Sequence, residues 1–207
     1  MKTALIVILI STFFSFQCSG QIQLGLRFAP NVSLNRLTDN VSTINYDLNG
    51  AGLKFSAGPT VDYFFSDNYA ISSGLWYTVK RSSLTSDQMD KNTRTNIQYI
   101  QLPISVKFLT NDLPQEMQLY FQLGGTMDFK IAEKHKNYPV PPGKLYSAFD
   151  LGLLISGGTQ IPIGDTTKAF MGITYNRGLI NLIKDNSLNN DLKLFSNLIG
   201  IETGIIF

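Results

Sequence analysis

Eight stretches of this chain share one rhythm, an apolar side chain followed by a small or polar one, and the connections between them are alternately short and long. A period of two puts successive side chains on opposite faces of a β-strand. Leu198 to Phe207 shows the pattern plainly. Ile199, Ile201, Thr203, Ile205 and Phe207 fall on one face, and Gly200, Glu202 and Gly204 on the other. The remaining stretches are Gln21 to Pro30, Ala51 to Phe65, Tyr69 to Arg81, Asn96 to Leu109, Met117 to Ile131, Phe149 to Ile163 and Lys168 to Arg177. Ser66-Asp67-Asn68, Thr110 to Glu116 and Gly164 to Thr167 join them at one end. At the other end stand four polar loops, Asn31 to Gly50, Ser82 to Thr95, Ala132 to Ala148 and Gly178 to Lys193.

An even number of strands with short turns at one end and long loops at the other is the plan of a membrane-spanning barrel. The chain is therefore expected to be all-β, an eight-stranded antiparallel up-and-down transmembrane β-barrel. One set of faces is nearly free of charge, as with Leu24, Leu26 and Phe28 in the first strand or Ile100, Leu102, Ile104 and Val106 in the fourth. The opposite set carries Arg27, Lys54, Asp62, Lys80, Lys107, Asp128, Lys130, Asp150 and Glu202, together with most of the strand glycines. A soluble eight-stranded barrel would turn the apolar set inward and its charges to water. Small residues beside charges suit a crowded lumen instead, with the apolar set facing lipid and both termini at the short-turn end, in the periplasm. Pro103, inside the fourth strand, removes a ladder donor and predicts a local bulge.

The N-terminus agrees with export. Lys2 precedes an apolar run from Ala4 to Ile10, then Thr12, Phe13, Phe14 and Phe16, then the small residues Cys18, Ser19 and Gly20. The run is shorter than the roughly 20 apolar residues of a membrane helix and reads as a signal peptide over residues 1–20, leaving a barrel domain over 21–207. Cys18 also raises a lipoprotein reading, but Gln17 stands where such sites carry a small residue. Cleavage after Gly20 takes away the single cysteine and with it thiolate or disulfide chemistry. The formal net charge of +2, one unit of which leaves with Lys2, gives no reason to expect nucleic acid as a partner.

Tyr99-Ile100-Gln101-Leu102-Pro103 followed by Lys107 resembles the Tyr-Leu-Glu-Ile-Pro segment of the PorT-like outer-membrane β-barrel family of Bacteroidota. Asp150-Leu151-Gly152 through Gly158 to Ile161-Pro162 is similar to that family's sixth strand, and Tyr175-Asn176-Arg177-Gly178-Leu179 with Asn181 to its seventh. Gln101 stands where the family often has an acid. The resemblance implies a cell outer membrane location and a possible link to protein secretion, the role from which the family takes its name. The final strand also resembles the closing strand of bacterial outer-membrane barrels, which implies that Ile205 and Phe207 act as an assembly signal read by the barrel-assembly machinery.

The inward charges are nearly balanced, and eight strands enclose little more room than side chains fill. They are therefore expected to form a paired plug rather than a conducting path, with a small gated pore as the alternative. His135, the single histidine, lies between Lys134 and Lys136 in the third long loop, and a lipid-modifying enzyme would be the reading that uses it. No serine stands at a recognisable spacing beside it. Scattered acids offer no metal site, and the glycines recur on strand faces rather than in a phosphate-binding cluster, so no cofactor is expected. Tyr63, Phe65, Tyr69, Phe108 and Phe207 gather at the short-turn end as an interfacial girdle. The expected function is a non-enzymatic membrane scaffold or binding protein. Its expected partners are outer-membrane lipid, the assembly machinery and an envelope or secretion-system protein met by the four loops.

Overall fold

The computed structural model describes residues 21–38, 46–47, 52–86, 93–136, 146–182 and 193–207; the expected signal segment lies outside them. Ten strands form one antiparallel sheet: β1 (Gln21–Thr38), β2 (Tyr46–Asp47), β3 (Gly52–Ser66), β4 (Tyr69–Gly74), β5 (Trp76–Ser86), β6 (Thr93–Leu109), β7 (Gln118–Lys136), β8 (Phe149–Pro162), β9 (Lys168–Gly178) and β10 (Lys193–Ile206). β1 pairs with β10 on one side, Leu26 opposite Ile205, and with β3 on the other, Leu24 opposite Val61, so the sheet closes on itself. β4 and β5 continue one wall in a single register, and β2 only adds to β5 at Thr85 and Ser86. The result is the all-β, eight-walled up-and-down antiparallel barrel that the alternation predicts.

The faces are arranged as in a protein surrounded by hydrocarbon. Ile22, Leu24, Leu26 and Phe28 of β1, Ile104, Val106 and Phe108 of β6, Phe121 and Leu123 of β7, and Met171 and Ile173 of β9 all project outward and exposed. Arg27, Asp62, Lys80, Lys107, Asp128, Asp150 and Glu202 are buried inside. Water would reward the opposite arrangement.

Three local expectations are corrected. Pro103 makes no bulge: pairing with β7 runs unbroken from Leu102 opposite Met127 to Ile104 opposite Gly125. The irregularity lies higher, where Gln98 faces Ala132 but Tyr99 faces Lys130, leaving Ile131 as the extra residue of β7. Pro59 and Pro103 explain the break between β4 and β5. Leu75 donates to the Pro59 carbonyl at 3.1 Å, but Pro59 has no N–H to return, and the register on either side sets Pro103 opposite Gly74.

The second correction concerns strand ends. On the long-loop side β1 runs to Thr38 rather than Pro30, β5 to Ser86 rather than Arg81, β7 to Lys136 rather than Ile131, and β10 begins at Lys193 rather than Leu198. Apolar alternation marks where side chains meet lipid, whereas backbone pairing continues for as long as a neighbouring strand offers partners. For the same reason His135 is not in a loop: it belongs to β7, opposite Thr95 of β6.

The third correction concerns β5, whose upper half leaves β3 after pairing at Ser56 and Ala57 and leans towards β1. Ser33 donates to the Arg81 carbonyl at 3.1 Å, and Asn35 donates to the same oxygen at 2.9 Å. Val79 is buried as a result, although alternation sets it on the outer face.

Candidate functional site in the barrel lumen

The lumen is filled in layers. Nearest the short turns, Arg27 donates from Nε to Glu202 at 2.8 Å and from Nη1 to Ser56 at 3.0 Å, while its guanidinium lies 4.0 Å from the centre of the Trp76 ring. The Tyr120 hydroxyl donates to the other Glu202 oxygen at 2.7 Å. Beside them Lys107 meets Asp62 at 2.6 Å and stands 5.3 Å from the Tyr120 ring. A void of about 20 Å³ lies among Arg27, Asp62, Trp76, Lys107, Tyr120 and Glu202, room for a single water.

Above lies a neutral belt, with Gln122 donating to Ser105 and accepting from Ser156, Thr78 donating to Gln101, and Asn176 donating to Thr126. Next comes a trio in which the Lys80 ammonium is 2.6 Å from Asp128 and 2.8 Å from Asp150. The two carboxylates face each other across β7 and β8 in direct register. The Tyr99 ring is 5.0 Å from the ammonium. Lys130 meets Glu133 at 2.9 Å and the Tyr146 carbonyl at 2.6 Å. Glu133 escapes the sequence reading because the extra residue Ile131 shifts the alternation and turns it inward.

Lys54 stands apart from the network in which alternation sets it. Among the described residues it has no ion pair, and its charged neighbour is Arg81, brought over the end of β3 by the lean of β5. The lumen also holds something alternation does not announce, a buried apolar cluster of Ile97, Tyr99, Tyr146, Leu182 and Leu194 at the long-loop end. Ser147 donates to Leu182 at 2.7 Å, Leu182 to Leu194 at 2.9 Å, and Leu194 to the Asn181 side chain at 2.9 Å, which ties the segments flanking β8 and β9 into this cap. Opposite it, at the short-turn end, a vestibule of about 360 Å³ opens among Gln21, Gln23, Asp67, Gln118 and Lys168. Among the described residues no three His, Cys, Asp or Glu side chains are placed to hold a metal ion.

At the end of the chain, Ile205 and Phe207 face outward, and the Phe207 amide donates to Leu24 of β1 at 2.8 Å. Phe65, Tyr69 and Phe108 pack in succession at the first short turn, with ring centres 6.2 and 5.2 Å apart.

Residues 15–184 match the family model described as outer membrane protein beta-barrel domain. The chain belongs to this family. As a member of the outer membrane protein beta-barrel family it resides in the outer membrane, which is the medium its exposed apolar walls require. Solved structures show the same fold. Neisserial surface protein A, from Neisseria, is 12% identical and superposes with a TM-score of 0.53 over 89% of this chain and 95% of its own. The outer membrane protein OprG of Pseudomonas aeruginosa is 11% identical, with a TM-score of 0.52 over 91% of this chain and 97% of its own. None of the curated proteins matches this sequence.

Proposed function

We propose that this outer-membrane barrel is a non-enzymatic scaffold of the PorT-like type found in Bacteroidota, which presents its long-loop end to an envelope or secretion-system protein. The observation that carries the reading is the filled lumen. Ion pairs, a neutral belt and an apolar cap occupy its successive levels, so among the described residues the lumen is filled by side chains from one end towards the other. What the fold offers instead is a rim on which β1, β5, β6, β7 and β10 carry paired, polar backbone beyond the apolar walls. The barrel-assembly machinery would read Ile205 and Phe207, and deleting Phe207 should lower the amount assembled.

Affinity purification from native envelopes in mild detergent tests the proposal. Removing residues 87–92 at the β5–β6 tip should abolish recovery of the partner while the barrel still assembles. Recovery that is indifferent to all four loop deletions would overturn it. A cysteine introduced at Ser86 should react with an impermeant maleimide on intact cells, and failure to do so would reverse the assigned orientation. His135→Ala should leave the envelope lipid profile unchanged; a lost modification would favour a lipid-modifying enzyme instead.

A further inference from the structure

Among the described residues, the fully exposed charges on the outside of the barrel are sorted by end. Among the described residues the exposed carboxylates are Asp67, Asp112, Glu116 and Asp165, all on the short connections. The exposed cations Lys134, Arg177 and Lys193, with the partly exposed Arg36, stand at the opposite end, and the partly exposed Lys168 alone of this group lies among the acids at the short-turn end. Arg36, Arg177 and Lys193 share one wall. Arg177 of β9 faces Asn197 of β10, which in turn faces Leu34 of β1; Arg36 faces Phe195, and Lys193 faces Thr38. β10 therefore runs between two arginines, with direct cross-strand neighbours about 5 Å apart and diagonal ones about 7–8 Å.

Two features mark this wall as more than a scatter of surface charge. The Arg36 guanidinium lies 4.8 Å from the centre of the Phe195 ring, held against the barrel rather than free in solvent. Along β9, β10 and β1 no described carboxylate turns outward to neutralise the three cations, since Glu202 points into the lumen. Directly below, Leu34, Ile199 and Ile201 lie outward and exposed. Cations just above an apolar wall lie where hydrocarbon gives way to headgroups, and guanidinium groups match phosphate oxygens in both charge and geometry.

We infer that the β9–β10–β1 wall binds a phosphate-bearing membrane lipid, its headgroup on Arg36, Arg177 and Lys193 and an acyl chain along Leu34, Ile199 and Ile201. The orientation proposed above enters only in naming the leaflet, and the Ser86 labelling decides that point separately.

Lipid A, a phosphorylated glucosamine lipid, is titrated into the purified barrel in phosphatidylcholine nanodiscs, and bound copies are counted by native mass spectrometry. The Arg36→Gln/Arg177→Gln/Lys193→Gln variant should bind at least about tenfold more weakly, while Lys134→Gln on the far wall should bind as the wild type does. Lipid A stripped of its phosphates should bind the wild type no better than intact lipid A binds the triple variant, and free phosphate should not displace the lipid. The heat-dependent gel shift of a closed barrel reports folding of each variant. Arg177→Gln alone, a single substitution on the same wall, repeats the comparison should the triple variant fail to assemble. Equal binding by wild type and variants, indifference to the lipid phosphates, or displacement by free phosphate would each overturn the assignment.

Discussion

Lys80 lies between Asp128 and Asp150, so its ammonium serves two buried carboxylates at once. Replacing it by methionine would leave the pair facing each other across β7 and β8 without a cation, and breaking a buried pair in this way costs about 3–5 kcal/mol. Asp150→Asn should be much milder, because it leaves a one-to-one pair of Lys80 with Asp128. Unfolding midpoints in urea, followed by the gel shift, should rank wild type and Asp150→Asn together, well above Lys80→Met. The reverse order would mean that the trio is not organised by the lysine. Residue placement was legible where alternation ran undisturbed: Arg27, Asp62, Lys107 and Glu202 could be assigned inward from their neighbours alone. Glu133 could not, and Lys54, assigned inward with them, makes no ion pair among the described residues; the first depends on an extra residue in β7 and the second on the lean of β5, neither of which leaves a mark in a period of two.

β7 shows how far one element can be read. Leu123 projects outward and half exposed, whereas Gln122 beside it is buried in hydrogen bonds to Ser105 and Ser156. Leu123→Arg should destabilise the barrel by about 2–4 kcal/mol if the residue lies near the bilayer midplane. Alternation alone suggests that Gln122→Arg is tolerated, since the lumen is polar. The structure changes that expectation: the void that Gln122 helps to line measures about 20 Å³, so the longer side chain would overpack it and bring a third positive group towards Arg27 and Lys107. Both substitutions should therefore lower the midpoint, while Gln122→Ser should lower it less than either. Strand existence and order followed from the sequence because each strand had to show lipid a continuous apolar stripe. Strand ends did not, because polar pairs above the apolar band carry no such stripe.

For the whole molecule, closure and filling make separate predictions. A sheet in which β1 is bonded on both sides has no edge from which to unravel, so the folded protein should stay compact in cold SDS and change mobility on boiling. Its layered interior should give no steady porin-sized conductance in planar bilayers; large stable channels would show that the apolar cap and the charge layers part in the membrane. The long strands add a matter of height. β7 has 19 residues, a contour of roughly 60 Å at the usual rise of a strand. Tilted as barrel strands are, it spans roughly 45 Å along the membrane normal, against an apolar band about 25 Å tall. Paired with β6 as far as Lys136, its upper part stands clear of the lipid as a braced stalk, so whatever it touches is met at a fixed standoff rather than by a searching tether.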